Sequence, residues 1–155
     1  MLYFLRSRST QDRSSELYAA LVDICPALQY SKEFYCKYEA EEGIEPLYIE
    51  RNGDVVFVAH TYTQNGDLMY DPAIEFSFDS ENQKADALSY ELSGMGMYQD
   101  FRDGNLPNDK ADVEEMVLET MFVNIKDYDY KLIETNIDTE IDEDERCMAE
   151  KRMSI

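Results

Sequence analysis

Several residues and patterns on which protein chemistry often depends are scarce in this chain of 155 residues. It has one histidine, His60, and no clustered thiols, so it supplies few partners for a zinc site or a hydrolytic triad. Its three cysteines, Cys25, Cys36 and Cys147, form no CxxC motif, which fits a reducing cytoplasm and predicts three free thiols. No apolar run approaches the roughly 20 residues that a membrane-spanning helix needs.

Positive charge is also scarce. Lysine and arginine number 14 against 34 for aspartate and glutamate, so the formal net charge is −20. A surface this negative repels phosphate groups and anionic lipids, which disfavours direct binding to DNA, RNA or a membrane surface. A basic protein partner, a cation or simple solubility is left as the reason for the excess of acids.

Apolar residues are plentiful enough for one core, at 44% hydrophobic and 12% aromatic. The pattern predicts a single α+β domain over residues 1–133 and an acidic, flexible tail over residues 134–155. Apolar residues at helical spacing predict a first helix over residues 15–25, with Ser14 or Ser15 as its N-cap.

A second helix is expected over residues 31–42, with Phe34, Tyr35 and Tyr38 turned inward. A final long helix is expected to begin at Asp109 and to lie across the sheet.

The centre of the chain changes to the two-residue period of β-strands. Segments 47–51 and 54–60 flank Asn52-Gly53, a pair that favours a type I′ turn and predicts a hairpin. Two further alternating segments, 74–79 and 87–92, complete a predicted antiparallel meander of about four strands. Residues 128–133 are a candidate for one short extra strand.

Three short motifs resemble a known family. Residues 65–76 read NGDLMYDPAIEF, residues 97–101 read MYQDF ahead of Asp103-Gly104, and Asn124-Ile125 lies at the end of the last helix. In order and spacing they resemble an uncharacterised family of short proteins carried by bacterial phages, plasmids and integrative conjugative elements, which has an "NGDLM-DP-EF" signature. The resemblance covers roughly residues 46–130 and implies a setting, a mobile genetic element in a bacterial cell, and no particular reaction.

The expected location is the cytoplasm of the bacterial host cell. Residues 1–6 place a short apolar stretch ahead of the first charges, which is the reverse of the order in a secretory signal.

The acidic residues suggest two kinds of site. Asp67, Asp71 and Glu75 surround a predicted turn, where their oxygens could gather around Ca²⁺ or Mg²⁺, although Asx residues in turns also bond their own backbone. The larger set follows the polar side of the last helix into the tail and is expected to face a partner, together with the aromatic anchor Tyr98. The candidate partner-binding residues are Glu114, Glu115, Glu119, Asp127, Asp129, Asp138, Asp142, Glu143, Asp144, Glu145 and Tyr98.

These patterns favour a binding protein without catalysis and without a cofactor, and they nominate no catalytic residue. We expect its acidic surface to imitate nucleic acid and to occupy the basic channel of a host defence nuclease of CRISPR or restriction type. The alternatives are a metal-dependent enzyme or metal-binding accessory protein using Asp67 and Asp71, or an acidic accessory protein of element replication or transfer.

Overall fold

The computed structural model describes residues 9–137. The fold is α+β, as the sequence predicts, with a seven-stranded antiparallel sheet packed against helices. About four strands were expected, so the prediction undercounts the sheet. Within residues 9–137, no helix combines the length and the apolar character that crossing a membrane requires.

The first helix, α1, spans Thr10–Ile24 and begins five residues earlier than predicted. Its N-cap is Ser9, whose side chain accepts a hydrogen bond from the backbone N–H of Asp12 at 3.0 Å. Ser14 is buried instead of capping, and its hydroxyl donates to Asp86 at 2.8 Å. The helix ends at Ile24, ahead of a short 3₁₀ segment at Pro26–Gln29.

The helix predicted over residues 31–42 is wrong, because this segment forms strand β1, Glu33–Glu39. Phe34, Cys36 and Tyr38 alternate inward and are buried, while the residues between them face outward. Aromatic residues are common in strands, so the two-residue period decides the structure here.

All four strands that the sequence predicts are present, and each is longer than expected. They are β2 (Leu47–Asn52), β3 (Val55–Gln64), β4 (Asp67–Asp79) and β5 (Lys84–Leu92), followed by the short edge strand β6 (Met97–Asp100). The predicted extra strand is observed as β7 (Lys131–Thr135). The order across the sheet is β6-β5-β4-β3-β2-β1-β7.

Both Asn-Gly pairs lie at hairpins, but with different turn geometry. Strand β2 runs through Asn52, and only Gly53 has a positive φ, whereas a type I′ turn needs a positive φ at both central residues. The type I′ expectation is therefore wrong at the first hairpin. At the second hairpin Asn65 (φ 53°) and Gly66 (φ 84°) meet this requirement.

A long helical stretch connects β6 with β7, which lie at opposite edges of the sheet, and so crosses the sheet as predicted. It begins at Pro107 and not at Asp109, with Leu106 in the left-handed region before it. It comprises α2 (Pro107–Met116), a π-helical turn (Val117–Met121) and α3 (Phe122–Asp127).

The helices cover one face of the sheet. Tyr18 of α1 stacks on Phe78 with ring centroids 4.7 Å apart, and Phe122 lies 6.2 Å from Phe76. Strand β7 crosses the predicted domain boundary at residue 133, and Ile137 beyond it is buried. The rest of the predicted tail, residues 138–155, lies outside the described residues.

Candidate functional site

The face of the sheet opposite the helices carries a row of aromatic side chains. Strand alternation turns Tyr35 and Tyr48 away from the core, because their neighbours Phe34, Cys36 and Ile49 point into it. Phe57 and Tyr70 continue the row on β3 and β4. We call this surface the open face.

The four rings touch in sequence across four strands. Tyr35 stacks on Tyr48 at a centroid distance of 6.1 Å, and Phe57 meets Tyr48 edge-on at 6.1 Å. Tyr70 meets Phe57 edge-on at 5.6 Å. Such contacts favour a fixed arrangement of rings, so the row is a formed surface before anything binds.

A groove of about 590 Å³ lies along this row. Tyr48, Phe57 and Tyr70 line it, and the exposed side chains of Leu68 and Ile133 stand at its margins. The volume is within the range of ligand-binding clefts, and the lining is mostly apolar with a few polar groups.

Carboxylates lie between the rings and are fixed by hydrogen bonds. Glu50 accepts a hydrogen bond from the Tyr48 hydroxyl at 3.0 Å and another from the Asn52 amide at 3.1 Å. Burial, followed by the contact with Glu50, raises the pKa of Tyr48 to about 12, so its hydroxyl stays a donor. Glu75 accepts from Ser89 at 2.8 Å and from Arg102 at 3.0 Å.

The charge of the groove is negative. Its lining includes three carboxylates, Glu39, Glu50 and Glu75, against one ammonium group, Lys37, and of the three carboxylates Glu75 is paired with Arg102. Lys37 lies 6.0 Å from the centre of the Tyr35 ring and 3.6 Å from Glu134. The hydrogen bond from Tyr35, and then the charge of Lys37, lower the pKa of Glu134, which keeps this carboxylate ionised beside the rings.

A second depression continues the groove at the β1–β7 edge. Glu39 and Ile133 line both, and Glu41, Asp127 and Asp129 join them in the second depression. Asp127 and Asp129 are exposed, as the sequence predicts, although Asp129 pairs with Lys131 at 3.3 Å. We call this set, Glu39, Glu41, Asp127 and Asp129, the acidic margin.

Glu114 is not on the polar side of the last helix, and its predicted placement is wrong. Its side chain is 1% exposed and accepts a hydrogen bond from the backbone N–H of Ala87 at 2.8 Å. Arg13 and Lys110 pair with it at 3.0 and 2.9 Å. A carboxylate that neutralises two cations between helix and sheet is unavailable to a partner.

The other predicted partner-binding residues are dispersed. Glu115 is partly covered and lies 3.8 Å from Arg13, whereas Glu119 is exposed. Tyr98 is 58% exposed on β6, six strand spacings from β7, or roughly 29 Å. Tyr98 and the acidic margin therefore lie at opposite edges. Five predicted residues lie outside the described residues: Asp138, Asp142, Glu143, Asp144 and Glu145.

The predicted cation site does not assemble around a turn. Asp67, Asp71 and Glu75 all lie on the single extended strand β4, where residues four apart are separated by roughly 13 Å. Among residues 9–137, no three His, Cys, Asp or Glu side chains are grouped so that they could hold a metal ion.

Asp71 belongs instead to a small titratable cluster beside the π-helical turn. Burial, and then the charge of Asp71, raise the pKa of Glu45 to about 7. Burial lowers the pKa of His60, whose Nδ1 lies 3.5 Å from the Tyr130 hydroxyl. That hydroxyl also donates to the backbone carbonyl of Glu45 at 2.7 Å.

Sequence reasoning missed the aromatic row because it treated residues 31–42 as a helix. In that helix Tyr35 would face inward with Phe34, whereas in β1 the two side chains point in opposite directions. The signal was present in the alternation of residues 33–39, and the outward positions of β2 and β3 add Tyr48 and Phe57.

The two predicted thiols within residues 9–137, Cys25 and Cys36, are buried and are not joined in a disulfide. A hydrogen bond with Cys36, followed by burial, raises the pKa of the Cys25 thiol well above its usual value, which keeps it protonated and unreactive.

Among protein families, a model described as a domain of unknown function (DUF6908) matches residues 17–130. The match begins within α1 and includes the aromatic row and the long helical stretch. No curated protein and no solved structure matches the chain.

Proposed function

The chain belongs to the DUF6908 family, a domain of unknown function, and we propose that it is a non-catalytic protein that binds a lysine- and arginine-rich partner. The partner docks on the open face and the acidic margin. The observation that carries this proposal is the groove of the open face, where a row of four touching rings is interleaved with fixed carboxylates.

The chemistry of this surface supports a protein partner. Aromatic rings are the side chains that most often anchor protein interfaces, and carboxylates around them select for positive charge. The net charge of −20 adds a long-range attraction that speeds the encounter with a basic protein.

The proposal extends to a biological setting. The resemblance to proteins of phages, plasmids and conjugative elements makes a bacterial host protein the natural target. A defence nuclease of CRISPR or restriction type has a channel lined with Lys and Arg for nucleic acid. An acidic protein that occupies this channel would inhibit the nuclease by excluding its substrate.

The test is the affinity for purified candidate nucleases, measured by calorimetry at 50 and 300 mM salt. We expect weaker binding at high salt, competition by duplex DNA, and about a fivefold loss of affinity in the Asp127→Asn/Asp129→Asn variant. The matched control, Asp12→Asn/Glu81→Gln, removes the same charge from exposed positions outside the open face and should bind normally. Binding that is indifferent to salt and equal in both variants would contradict the proposal.

A further inference from the structure

The groove of the open face combines flat rings with a fixed carboxylate, a combination that suits planar cations. We propose that it binds arginine side chains of an extended segment of the partner, with each guanidinium group stacked on a ring and paired with a carboxylate. This inference rests on the proposed function and names the group that the open face recognises.

The first argument is the pairing of flat rings with a fixed carboxylate. Glu50 is held beside the rings by Tyr48 and Asn52, so its oxygens are oriented before a ligand arrives. A guanidinium group is planar, stacks on aromatic faces and donates two parallel hydrogen bonds to a carboxylate. A lysine ammonium group is more strongly hydrated and lacks this planar fork, so it gains less from such a site.

The second argument is that the same sheet already accommodates cations against rings. On the face covered by helices, the Arg51 guanidinium lies 4.7 Å from the centre of the Phe78 ring. On the open face, Lys37 lies beside Tyr35 at the end of the row. The central rings, Tyr48, Phe57 and Tyr70, line the groove, and their surroundings are acidic.

The third argument is spacing. Neighbouring rings of the row are 5.6 to 6.1 Å apart. Same-side residues of an extended chain are about 6.6 Å apart, because two residues each advance the chain by about 3.3 Å. An extended segment with arginine at alternate positions therefore places successive guanidinium groups near successive rings. The groove of about 590 Å³ has room for more than one such group.

The experiment compares two synthetic peptides of equal charge, one alternating arginine with serine and the other alternating lysine with serine. Affinities for the full chain are measured by calorimetry at 100 mM salt. We expect the arginine peptide to bind about fivefold more tightly than the lysine peptide. Equal affinities, or no binding of either peptide, would overturn the arginine site.

Two variants test whether the preference for the arginine peptide arises in the groove. Phe57→Leu keeps an apolar side chain but removes the central ring, and Glu50→Gln keeps the shape but removes the carboxylate charge. Each should reduce the preference for arginine to about twofold or less. The matched controls, Tyr30→Leu and Glu81→Gln, change exposed residues outside the groove and should keep the full preference. Thermal unfolding checks that each variant is folded.

The outcomes separate this inference from the proposed function. If both peptides bind equally and the affinity falls with salt, the protein is a binder of basic segments but has no arginine site. If the preference survives in Phe57→Leu and Glu50→Gln, the arginine site is not in this groove. The proposed function is decided separately, by the nuclease titration and its salt dependence.

Discussion

At the scale of single residues, the carboxyl group of Glu45 lies in an electrostatically unfavourable position. Its carboxyl group is partly buried beside the carboxylate of Asp71, and both effects raise its pKa to about 7. Tyr130 and His60 pack next to it, but the lowered pKa of His60 keeps its ring neutral near pH 7. No cation among these neighbours offsets the repulsion between the two carboxylates.

This arrangement predicts a dependence of stability on pH. The ordinary pKa of Glu45 is 4.5 and the folded value is about 7, so the folded state holds an extra proton between these values. Stability is therefore lost as the pH rises through this window, which is the linkage expected for a raised carboxyl pKa. Glu45→Gln removes the effect, so it should raise the melting temperature relative to the native chain more at pH 8 than at pH 4.5.

The exposed neighbour Glu42 provides the control. Glu42→Gln should change the melting temperature by a similar small amount at both pH values. If the difference in melting temperature between Glu45→Gln and the native chain is constant from pH 4.5 to pH 8, the Glu45 carboxyl group titrates normally and the prediction is wrong.

At the scale of elements, one buried carboxylate joins three of them. Glu114 on α2 binds Arg13 on α1, the backbone N–H of Ala87 on β5, and Lys110 one turn earlier on its own helix. Lys110 and Ser14 also meet at Asp86 of β5. This polar network fixes how the two helices sit on the sheet.

Removing the Glu114 carboxylate should be costly. Glu114→Ala leaves the Arg13 charge and the Ala87 N–H buried without this acceptor, so we expect a loss of about 3–5 kcal/mol in the free energy of unfolding. Asp112→Ala removes an acid from an exposed position of the same helix, α2, and should cost less than about 1 kcal/mol. Urea unfolding of both variants measures the difference, and equal losses would refute the buried role of Glu114.

The elements also show what could be predicted from the sequence. Strands β2 to β5 were predictable, because β4 and β5 alternate between apolar and polar residues, β3 is rich in β-branched residues, and Asn-Gly pairs lie at two of the turns between the strands. Strand β1 was missed, because its aromatic residues fit a helical spacing equally well. Strand β6 has only four residues, and a period of two needs more residues than that to be distinctive.

The site was less predictable than the fold. The sequence identifies acids but not their surroundings, so Glu114 and Glu119 look alike until α2 is packed on β5. The aromatic row depends on the lateral register of the strands, which sets Tyr35 and Phe57 opposite Glu50 of β2 and makes Tyr48, two residues before Glu50, their diagonal neighbour. Register is fixed by the pairing between separate strands and by the loops that join them, and periodicity within one strand does not contain it.

At the scale of the whole molecule, the sheet separates two kinds of surface. The helices cover one face and complete the core, while the open face carries half-buried rings and carboxylates along its groove. The acidic margin extends this surface at the β1–β7 edge, and the net charge of −20 provides attraction from a distance. Together these features support the proposal that the protein binds basic segments on one side.

The most direct test of this account is a map of backbone amide chemical shifts in the ¹⁵N-labelled protein during titration with the arginine–serine peptide. We predict that the changes concentrate on β1 to β4 around Tyr48, Phe57 and Tyr70, and that α1 on the opposite face stays unchanged. Changes concentrated on α1, or spread evenly over the exposed acids of both faces, would contradict the claim that the open face is the binding surface.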